Sequence, residues 1–193
     1  MLVDLSIKAF LEKVASGEPV PGGGSVSALC GALSAALAVM VAHITAGKTN
    51  DKAVEAKMSA MIDTAKKIQA IFTEDIDRDS VAYAAVMKAY RMPKETDQEK
   101  KERQNAVQEA LKEAARVPLE VAEMGIRILN LAEALVREGN QNAITDAVVS
   151  GLMARSAIIG ALYNVKINIL SIKDATFRDR LKHESERIEI EAF

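Results

Sequence analysis

The sequence has 193 residues, of which 49% are hydrophobic, 27% charged and only 4% aromatic, and its formal net charge is -2. This length predicts a single domain over residues 1–193, and the composition excludes a disordered chain. The charge balance provides no basic surface for a nucleic acid and no polybasic face for a membrane. Because Cys30 is the one cysteine and the first residues lack a signal-peptide pattern, we expect a cytoplasmic protein without an internal disulfide.

A glycine loop is the first unusual feature along the chain. A short amphipathic helix is predicted before Gly17, and an extended connector with two prolines follows it. The loop then consists of Pro21, Gly22, Gly23, Gly24 and Ser25. Consecutive glycines indicate that this backbone approaches something closely, and a helix that starts here would present free N–H groups to an anion. A flexible loop before a buried helix, capped by Ser25, is the alternative interpretation.

Two long segments of small apolar residues predict the centre of the fold. The first runs from Ser25 to about Ala46, and the second begins at a cap formed by Asn142 or Thr145. Their alanines and glycines are too small for a typical membrane span, so we expect helices that are buried on all sides. With the amphipathic segments around them they predict an all-α, single-domain bundle of about six helices, built around two long Ala/Gly-rich central helices.

The third predicted helix carries a cluster of acidic residues. Its apolar stripe runs from Val54 to Met87 and ends before Pro93. Asp79 lies three residues after Ile76 and four before Tyr83, which places it on or beside the inward face. Burial would raise the pKa of a carboxyl there, as general acid or base catalysis near neutral pH requires. The alternative is a buried acid paired with an Arg or Lys of another helix.

The remaining segments predict three more helices. A charged helix starts at Thr96 or Asp97, is kinked or broken near Val117 because of Pro118, and ends at Gly139. A last helix on the surface begins at Asp174 or Thr176. On the second central helix, two asparagines at positions 164 and 168 follow one another by one turn in an apolar stretch. Buried amides must be hydrogen-bonded, so these side chains bind either another helix or a ligand.

Taken together, these segments resemble the cyclodeaminase/cyclohydrolase family, which includes the C-terminal domain of formiminotransferase-cyclodeaminase. The segments that carry the resemblance follow the family's order: the glycine loop with its Ala-rich helix, Asp79 to Tyr83, Arg91 to Lys94, Val117 to Leu119, Gly139-Asn140, Asp146, and Asn164 to Asn168. The resemblance implies an all-helical domain, a homodimer, and a tetrahydrofolate substrate that carries one or more glutamates. It implies no cofactor besides the folate. No metal site is expected either, because His43 and His183 lie far apart without paired ligands.

The resemblance also implies roles for individual residues. Asp79 takes the position of the catalytic acid/base, with Asp77 as the reserve candidate. The glycine loop would hold a folate carboxylate or a developing negative charge. The polar residues expected to bind the substrate, mainly through the pterin ring, are Tyr83, Asn140, Asp146, Asn164 and Asn168. The glutamate tail would meet Lys48, Lys94 or Lys166.

The resemblance implies conversion of 5-formimidoyltetrahydrofolate to 5,10-methenyltetrahydrofolate and ammonia. One carboxylate that accepts and returns a proton would serve both the attack of N10 and the departure of ammonia. Two alternatives remain open from the sequence. One is a methenyltetrahydrofolate cyclohydrolase, which opens the same ring with water to give 10-formyltetrahydrofolate, and the other is a helical folate-binding module without catalysis.

Overall fold

The computed structural model describes residues 1–192, and within them the fold consists of α-helices and two short 3-10 helices, with no strand. The six α-helices are α1 (Ile7–Val14), α2 (Gly23–Ala46), α3 (Lys52–Tyr90), α4 (Asp97–Glu138), α5 (Ile144–Ile169) and α6 (Ala175–Glu191). The 3-10 helices are Leu2–Asp4 and Gln141–Ala143. The all-α architecture with six helices is therefore confirmed.

Side-chain caps explain where most of the helices begin. Ser6, Asp51 and Asp174 each accept a hydrogen bond from a backbone N–H in the first turn of α1, α3 and α6. Thr96 and Glu99 form a complete capping box at the start of α4. These bonds satisfy N–H groups that have no partner inside the helix, and they confirm the predicted starts of α4 and α6.

The predicted caps of α2 and α5 are wrong, and so is a break of α4 at Pro118. α2 begins at Gly23 with Gly22 as its N-cap, because the Ser25 hydroxyl bonds to α3 and not to its own helix. α4 continues through Pro118, which is buried, so packing on both sides outweighs the lost backbone hydrogen bond. α5 follows directly from the second 3-10 helix and has no side-chain cap, so neither Asn142 nor Thr145 caps it.

α2 lies at the centre of the bundle. It packs against α3 on one side and α5 on the other, α4 closes the bundle across α3 and α5, and α6 lies on α4 and α5. Small residues allow these close approaches: a Cβ at Gly31 would lie 2.5 Å from the Phe72 ring, and one at Gly160 would overlap the Ser27 hydroxyl. The Ala/Gly-rich sequences of α2 and α5 therefore serve helix packing.

Neither central helix is buried on all sides, and that prediction is wrong. Large apolar side chains of α2 and α5 are exposed, among them Leu33 (49%), Met40 (38%), Leu152 (56%) and Tyr163 (66%). By length and composition alone both helices are apolar enough to cross a membrane, a test that the core helices of soluble proteins also pass. Within the described residues, these apolar side chains of α2 and α5 are left open to solvent.

α3 also holds a carboxyl group in the interior. The Asp75 side chain is fully buried, and its Oδ1 accepts a hydrogen bond of 2.6 Å from Arg78, which also binds Glu120 at 2.9 Å. Its Oδ2 has no hydrogen-bond partner among residues 1–192. Burial raises the pKa of Asp75 from 3.8 to about 6, and the Arg78 guanidinium opposes this change only in part.

The buried Asp75 should make stability depend on pH. The native protein holds this proton more tightly than the unfolded chain, so the contribution is full below about pH 4 and is lost as the pH rises through about 6. Relative to wild type, Asp75→Asn should gain about 3 kcal/mol in free energy of unfolding between pH 4 and pH 7. Urea denaturation across this range measures the change, with Glu74→Gln as the matched exposed control. A difference that stays constant with pH would contradict the assignment.

Candidate active site

A cleft of about 240 Å³ opens where the start of α2 meets α3, α4 and α5. Its walls come from the connector before α2, the second half of α3, the middle of α4 and the last turns of α5. The lining residues are Pro19, Val20, Gly22, Gly23, Gly24, Asp79, Tyr83, Val86, Leu111, Ala114, Asn164 and Asn168. The cleft is thus an apolar slot with one carboxyl group and two amides.

The start of α2 holds the Asp79 carboxyl group. The backbone N–H of Ser25 donates to Asp79 Oδ2 at 3.1 Å, and the Ser25 hydroxyl lies 3.3 Å from the same oxygen. That hydroxyl uses its single O–H to donate a hydrogen bond of 2.8 Å to the carbonyl oxygen of Ile76. The Ser25 oxygen is therefore free to accept from Asp79 when the carboxyl group is protonated, so the same neighbour supports both protonation states.

Gly24 allows this approach between α2 and α3. A Cβ at position 24 would overlap the Asp79 carboxyl group, whereas one at Gly23 would lie 3.4 Å from the Asn164 amide nitrogen, an ordinary contact. Position 24 therefore requires glycine, because the Asp79 carboxyl group occupies the space that a side chain would need. The predicted close approach of the glycine loop is explained in part by Asp79 itself.

Burial raises the pKa of the Asp79 carboxyl above its usual range, and the hydrogen bonds from Ser25 oppose this change only in part. No cation forms an ion pair with Asp79 in the described chain, so the paired buried acid considered as the alternative describes Asp75 and not Asp79. A carboxyl group with a raised pKa on the wall of a cleft is suited to accept and return a proton near neutral pH.

Asn164 and Asn168 face the cleft from the end of α5. The Asn164 amide nitrogen donates to the carbonyl oxygen of Gly160 at 2.8 Å, and that of Asn168 donates to Ala114 on α4 at 2.7 Å. Both amides therefore use an N–H group on the protein and keep their Oδ1 atoms as acceptors. Together with Asp79 they present acceptors to a ligand that carries N–H donors.

Asp77 does not belong to this cleft. Its carboxylate accepts hydrogen bonds from the backbone N–H groups of Leu2 at 2.7 Å and Val3 at 3.4 Å, and it holds the N-terminal segment against α3. Two positions along an α-helix differ by about 200° in direction, so Asp77 and Asp79 face different neighbours. The structure thus separates the two candidates and leaves Asp79 in the cleft.

Asn140 and Asp146 lie at the other end of the same protomer. The Asn140 backbone N–H donates to Thr45, which is about 30 Å along α2 from Ser25, and the Asn140 side chain caps the following turn. Asp146 is in the first turn of α5, about 27 Å from Asn164 along that helix. Within one chain, Asn140 and Asp146 therefore do not lie in the cleft that contains Asp79.

Several residues of the cleft were missed from the sequence. They are the apolar walls Pro19, Val20, Val86, Leu111 and Ala114. Val86 follows Tyr83 by three positions, and Leu111 and Ala114 have the same spacing, so helical periodicity places each pair on one face. Two predicted binding residues of the glycine loop, Pro21 and Ser25, are buried and do not line the cleft. Tyr83 does line it and is 37% exposed.

Comparison with known proteins agrees with the resemblance seen in the sequence. The family model described as formiminotransferase-cyclodeaminase matches residues 6–187. A methenyltetrahydrofolate cyclohydrolase of Methylorubrum extorquens is 38% identical over 97% of this chain and 90% of its own length. The formimidoyltransferase-cyclodeaminase of Rattus norvegicus is 34% identical over 94% of this chain, which spans only 34% of that longer protein.

A solved structure extends the similarity to three dimensions. The formiminotetrahydrofolate cyclodeaminase of Thermotoga maritima superposes with a TM-score of 0.89 at 31% identity, over 100% of this chain and 92% of that one. The match covers all six helices, including the four that form the cleft. The chain therefore belongs to the formiminotransferase-cyclodeaminase family.

Proposed function

We propose that the cleft converts 5-formimidoyltetrahydrofolate to 5,10-methenyltetrahydrofolate and ammonia, with Asp79 as the acid/base. The observation that carries this proposal is a carboxyl group of raised pKa on the wall of a cleft that otherwise offers apolar surface and amide acceptors. The relatives named as cyclodeaminases support the choice of substrate. The reaction transfers protons and forms and breaks carbon–nitrogen bonds without a change of oxidation state, so it requires no redox cofactor.

In this mechanism one carboxyl group, that of Asp79, accepts a proton from the substrate and later donates it back. The formimidoyl group reacts in its protonated, amidinium form: folate N10 attacks its carbon, the electron pair of the C=N π bond becomes the lone pair of the amino nitrogen, and Asp79 accepts the proton that N10 loses as the new bond forms. Asp79 then donates this proton to the amino nitrogen of the tetrahedral intermediate, which leaves as ammonia when its bond to carbon breaks. The carboxylate ends the cycle ionised, as it began, and a raised pKa favours its acceptance of the proton from N10.

The rest of the cleft would hold the folate in place. Asn164 Oδ1 and Asn168 Oδ1 accept hydrogen bonds from the amino and ring N–H groups of the pterin, and Tyr83 and Val86 pack against its face. The backbone of Gly22 and Gly23, at the positive end of α2, lies close to any negative charge on the substrate. Positioning of N10 against the carbon supplies a large part of the rate.

Methenyltetrahydrofolate cyclohydrolase activity is the second candidate. The specific observation that favours it is the Methylorubrum extorquens relative, a cyclohydrolase whose length this chain spans to 90%. In the cyclohydrolase reaction, Asp79 would accept a proton from water as the water oxygen attacks the carbon that bridges N5 and N10. It would then donate that proton to N5 as the N5–carbon bond breaks, and the carbinol proton is released as the formyl group forms.

One assay distinguishes these candidates. Purified protein is offered 5-formimidoyltetrahydrofolate and 5,10-methenyltetrahydrofolate separately, and the methenyl chromophore and ammonia are followed. Chromophore formation with release of ammonia identifies a cyclodeaminase, and faster loss of added chromophore identifies a cyclohydrolase. If the protein accelerates neither the formation nor the loss of the chromophore, both enzymatic proposals are wrong. Folate binding without either reaction would then support the non-catalytic folate-binding module.

We also propose that the protein acts as a cytoplasmic homodimer joined through the exposed apolar faces of α2 and α5. Large apolar side chains exposed on both helices, such as Leu33, Met40 and Leu152, are typical of a protein interface. If the two copies pack antiparallel along these helices, the end of one copy that carries Asn140 and Asp146 meets the cleft of the other. This arrangement would give both residues the role in substrate binding that the family resemblance implies.

Sedimentation equilibrium tests the interface. Leu152→Asp should convert a dimer to a monomer, because it would bury a charge in the proposed interface, whereas Ile190→Asp on α6 should leave the dimer intact. For the shared site, inactive Asp79→Asn and Asp146→Asn chains refolded together in equal amounts should recover about a quarter of wild-type activity, since half of the dimers then have one intact site. A monomeric wild type, or no recovery in the mixture, would contradict the proposal.

A further inference from the structure

Pro118 lies near the middle of α4, which continues on both sides of it from Asp97 to Glu138. A proline has no backbone N–H, so the carbonyl oxygen four residues before it loses the donor that it has in a regular α-helix. That carbonyl belongs to Ala114, which lines the active-site cleft. Pro118 therefore leaves one main-chain acceptor of α4 open at the wall of the cleft.

A side chain of another helix binds this open acceptor. The amide nitrogen of Asn168 on α5 donates to the Ala114 carbonyl oxygen at 2.7 Å, across 54 positions of the chain. A backbone N–H at position 118 would hold this carbonyl along the axis of α4, whereas the proline ring pushes it outward. The missing N–H of Pro118 thus makes the Ala114 oxygen available to Asn168.

This hydrogen bond determines which way the Asn168 amide faces. A carbonyl oxygen only accepts hydrogen bonds, so the group of Asn168 that meets Ala114 must be the NH2 group and not Oδ1. If the amide turned over, two oxygens would face each other and the Ala114 carbonyl would lose its donor. Asn168 is half-buried and lines the cleft, so its Oδ1 is left to accept a hydrogen bond from a ligand.

Asn164 provides a comparison on the same helix. Its amide nitrogen donates at 2.8 Å to the carbonyl oxygen of Gly160, four residues earlier on α5. In a regular α-helix that oxygen already accepts the backbone N–H of residue 164, so the Asn164 side chain shares its acceptor. Of the two amides in the cleft, Asn168 is therefore the one whose acceptor lacks the usual backbone donor, and its orientation is the more firmly fixed.

We propose that Pro118 is a positioning residue for substrate binding, which acts through the Ala114 carbonyl to aim Asn168 Oδ1 at an N–H donor of the substrate. The inference rests on the proposed function, in which Asn168 accepts a hydrogen bond from the pterin. It gives the interruption of α4 a role beyond packing. The backbone hydrogen bond that α4 lacks is replaced by one that orients a binding group in the cleft.

Pro118→Ala tests this role, because it restores a backbone N–H that competes for the Ala114 carbonyl. The KM for 5-formimidoyltetrahydrofolate should rise about five- to tenfold while kcat stays within about twofold, since the amide loses its fixed direction and Asp79 is untouched. The matched control is Val117→Ala, a buried neighbour that loses a similar side-chain volume and leaves the Ala114 carbonyl open. The control should lower stability to urea without changing KM. Equal rises of KM in the two variants would overturn the inference, because lost packing would then explain both.

A double-mutant cycle checks that the effect passes through Asn168. Asn168→Ala should raise KM by itself, and Pro118→Ala/Asn168→Ala should have the same KM as Asn168→Ala, because no amide is left for the proline to orient. If the two substitutions raise KM independently, so that their effects multiply in the double variant, the assignment is wrong.

NMR of the Asn168 side-chain amide, in protein without a folate, separates this inference from the proposed reaction. The resonances are assigned by their absence from Asn168→Ala. In wild type the Nδ2 proton that binds Ala114 should exchange slowly with water, and in Pro118→Ala it should exchange about tenfold faster.

The wild-type spectrum remains informative even if Pro118→Ala fails to fold. A protected amide proton in a protein that turns over neither folate would contradict the proposed function and support the orientation of Asn168. An unprotected proton in wild type, or equal exchange in wild type and Pro118→Ala, would overturn the inference whether or not the protein is an active enzyme.

Discussion

Asp79→Asn is expected to lower kcat by about 10²- to 10⁴-fold, because the amide keeps the shape of the side chain but neither accepts nor returns a proton. The Ser25 hydroxyl and backbone N–H still have an oxygen to contact at position 79, so the fold and the cleft should persist. Folate affinity should therefore change only a few-fold. Steady-state kinetics measure the first effect, and fluorescence titration with a folate measures the second.

Asp77→Asn is the matched control for this variant. Asp77 lies two residues away on the same helix, yet its carboxylate binds the backbone of Leu2 and Val3 outside the cleft. Its replacement should leave kcat close to wild type, because an amide oxygen still accepts these hydrogen bonds. If Asp77→Asn removes turnover while Asp79→Asn retains it, the assignment of the two acids is reversed.

Gly24→Ala is expected to reduce kcat by about 10²-fold without unfolding the protein. The added methyl group would occupy the place of the Asp79 carboxyl group, which must then turn away from Ser25 and from the reacting atoms. Because the group that gives way is the end of a side chain, the cost falls on catalysis more than on helix packing. Kinetics together with circular dichroism measure both.

Gly23→Ala provides the comparison for Gly24→Ala. A methyl group at position 23 meets the Asn164 amide at ordinary contact distance and narrows the cleft without touching Asp79. It should raise KM and leave kcat nearly unchanged, since it alters substrate binding and not the proton transfer. Full kcat in Gly24→Ala would mean that the carboxyl group is not needed where the structure places it.

The sequence was sufficient to predict the helices and part of the cleft because both depend on local patterns. Caps such as Thr96 and the 3.6-residue period identified the elements, and the same period put Asp79 on an inward face and Asn164 beside Asn168. The two acids were separable in principle, because Ile76 and Tyr83 fix the phase of the helix and Asp77 lies about 200° from Asp79.

The remaining features depend on contacts between distant parts of the chain. Ser25 binds Asp79 across 54 positions, and no local signal distinguishes that role from a helix cap. Pro118 stays within α4 because neighbouring helices hold both halves, which its own sequence does not reveal. Likewise, the order of matching segments placed Asn140 and Asp146 in the site, but their position along the bundle puts them far from Asp79 in one protomer.

The most direct measurement is a crystal structure of the Asp79→Asn protein with 5-formimidoyltetrahydrofolate bound. The proposed mechanism predicts that the formimidoyl carbon and N10 lie within hydrogen-bond reach of the side chain at position 79, with the pterin against Asn164 and Asn168. A folate bound with its one-carbon unit away from position 79 would contradict the central claim that this carboxyl group performs the proton transfer.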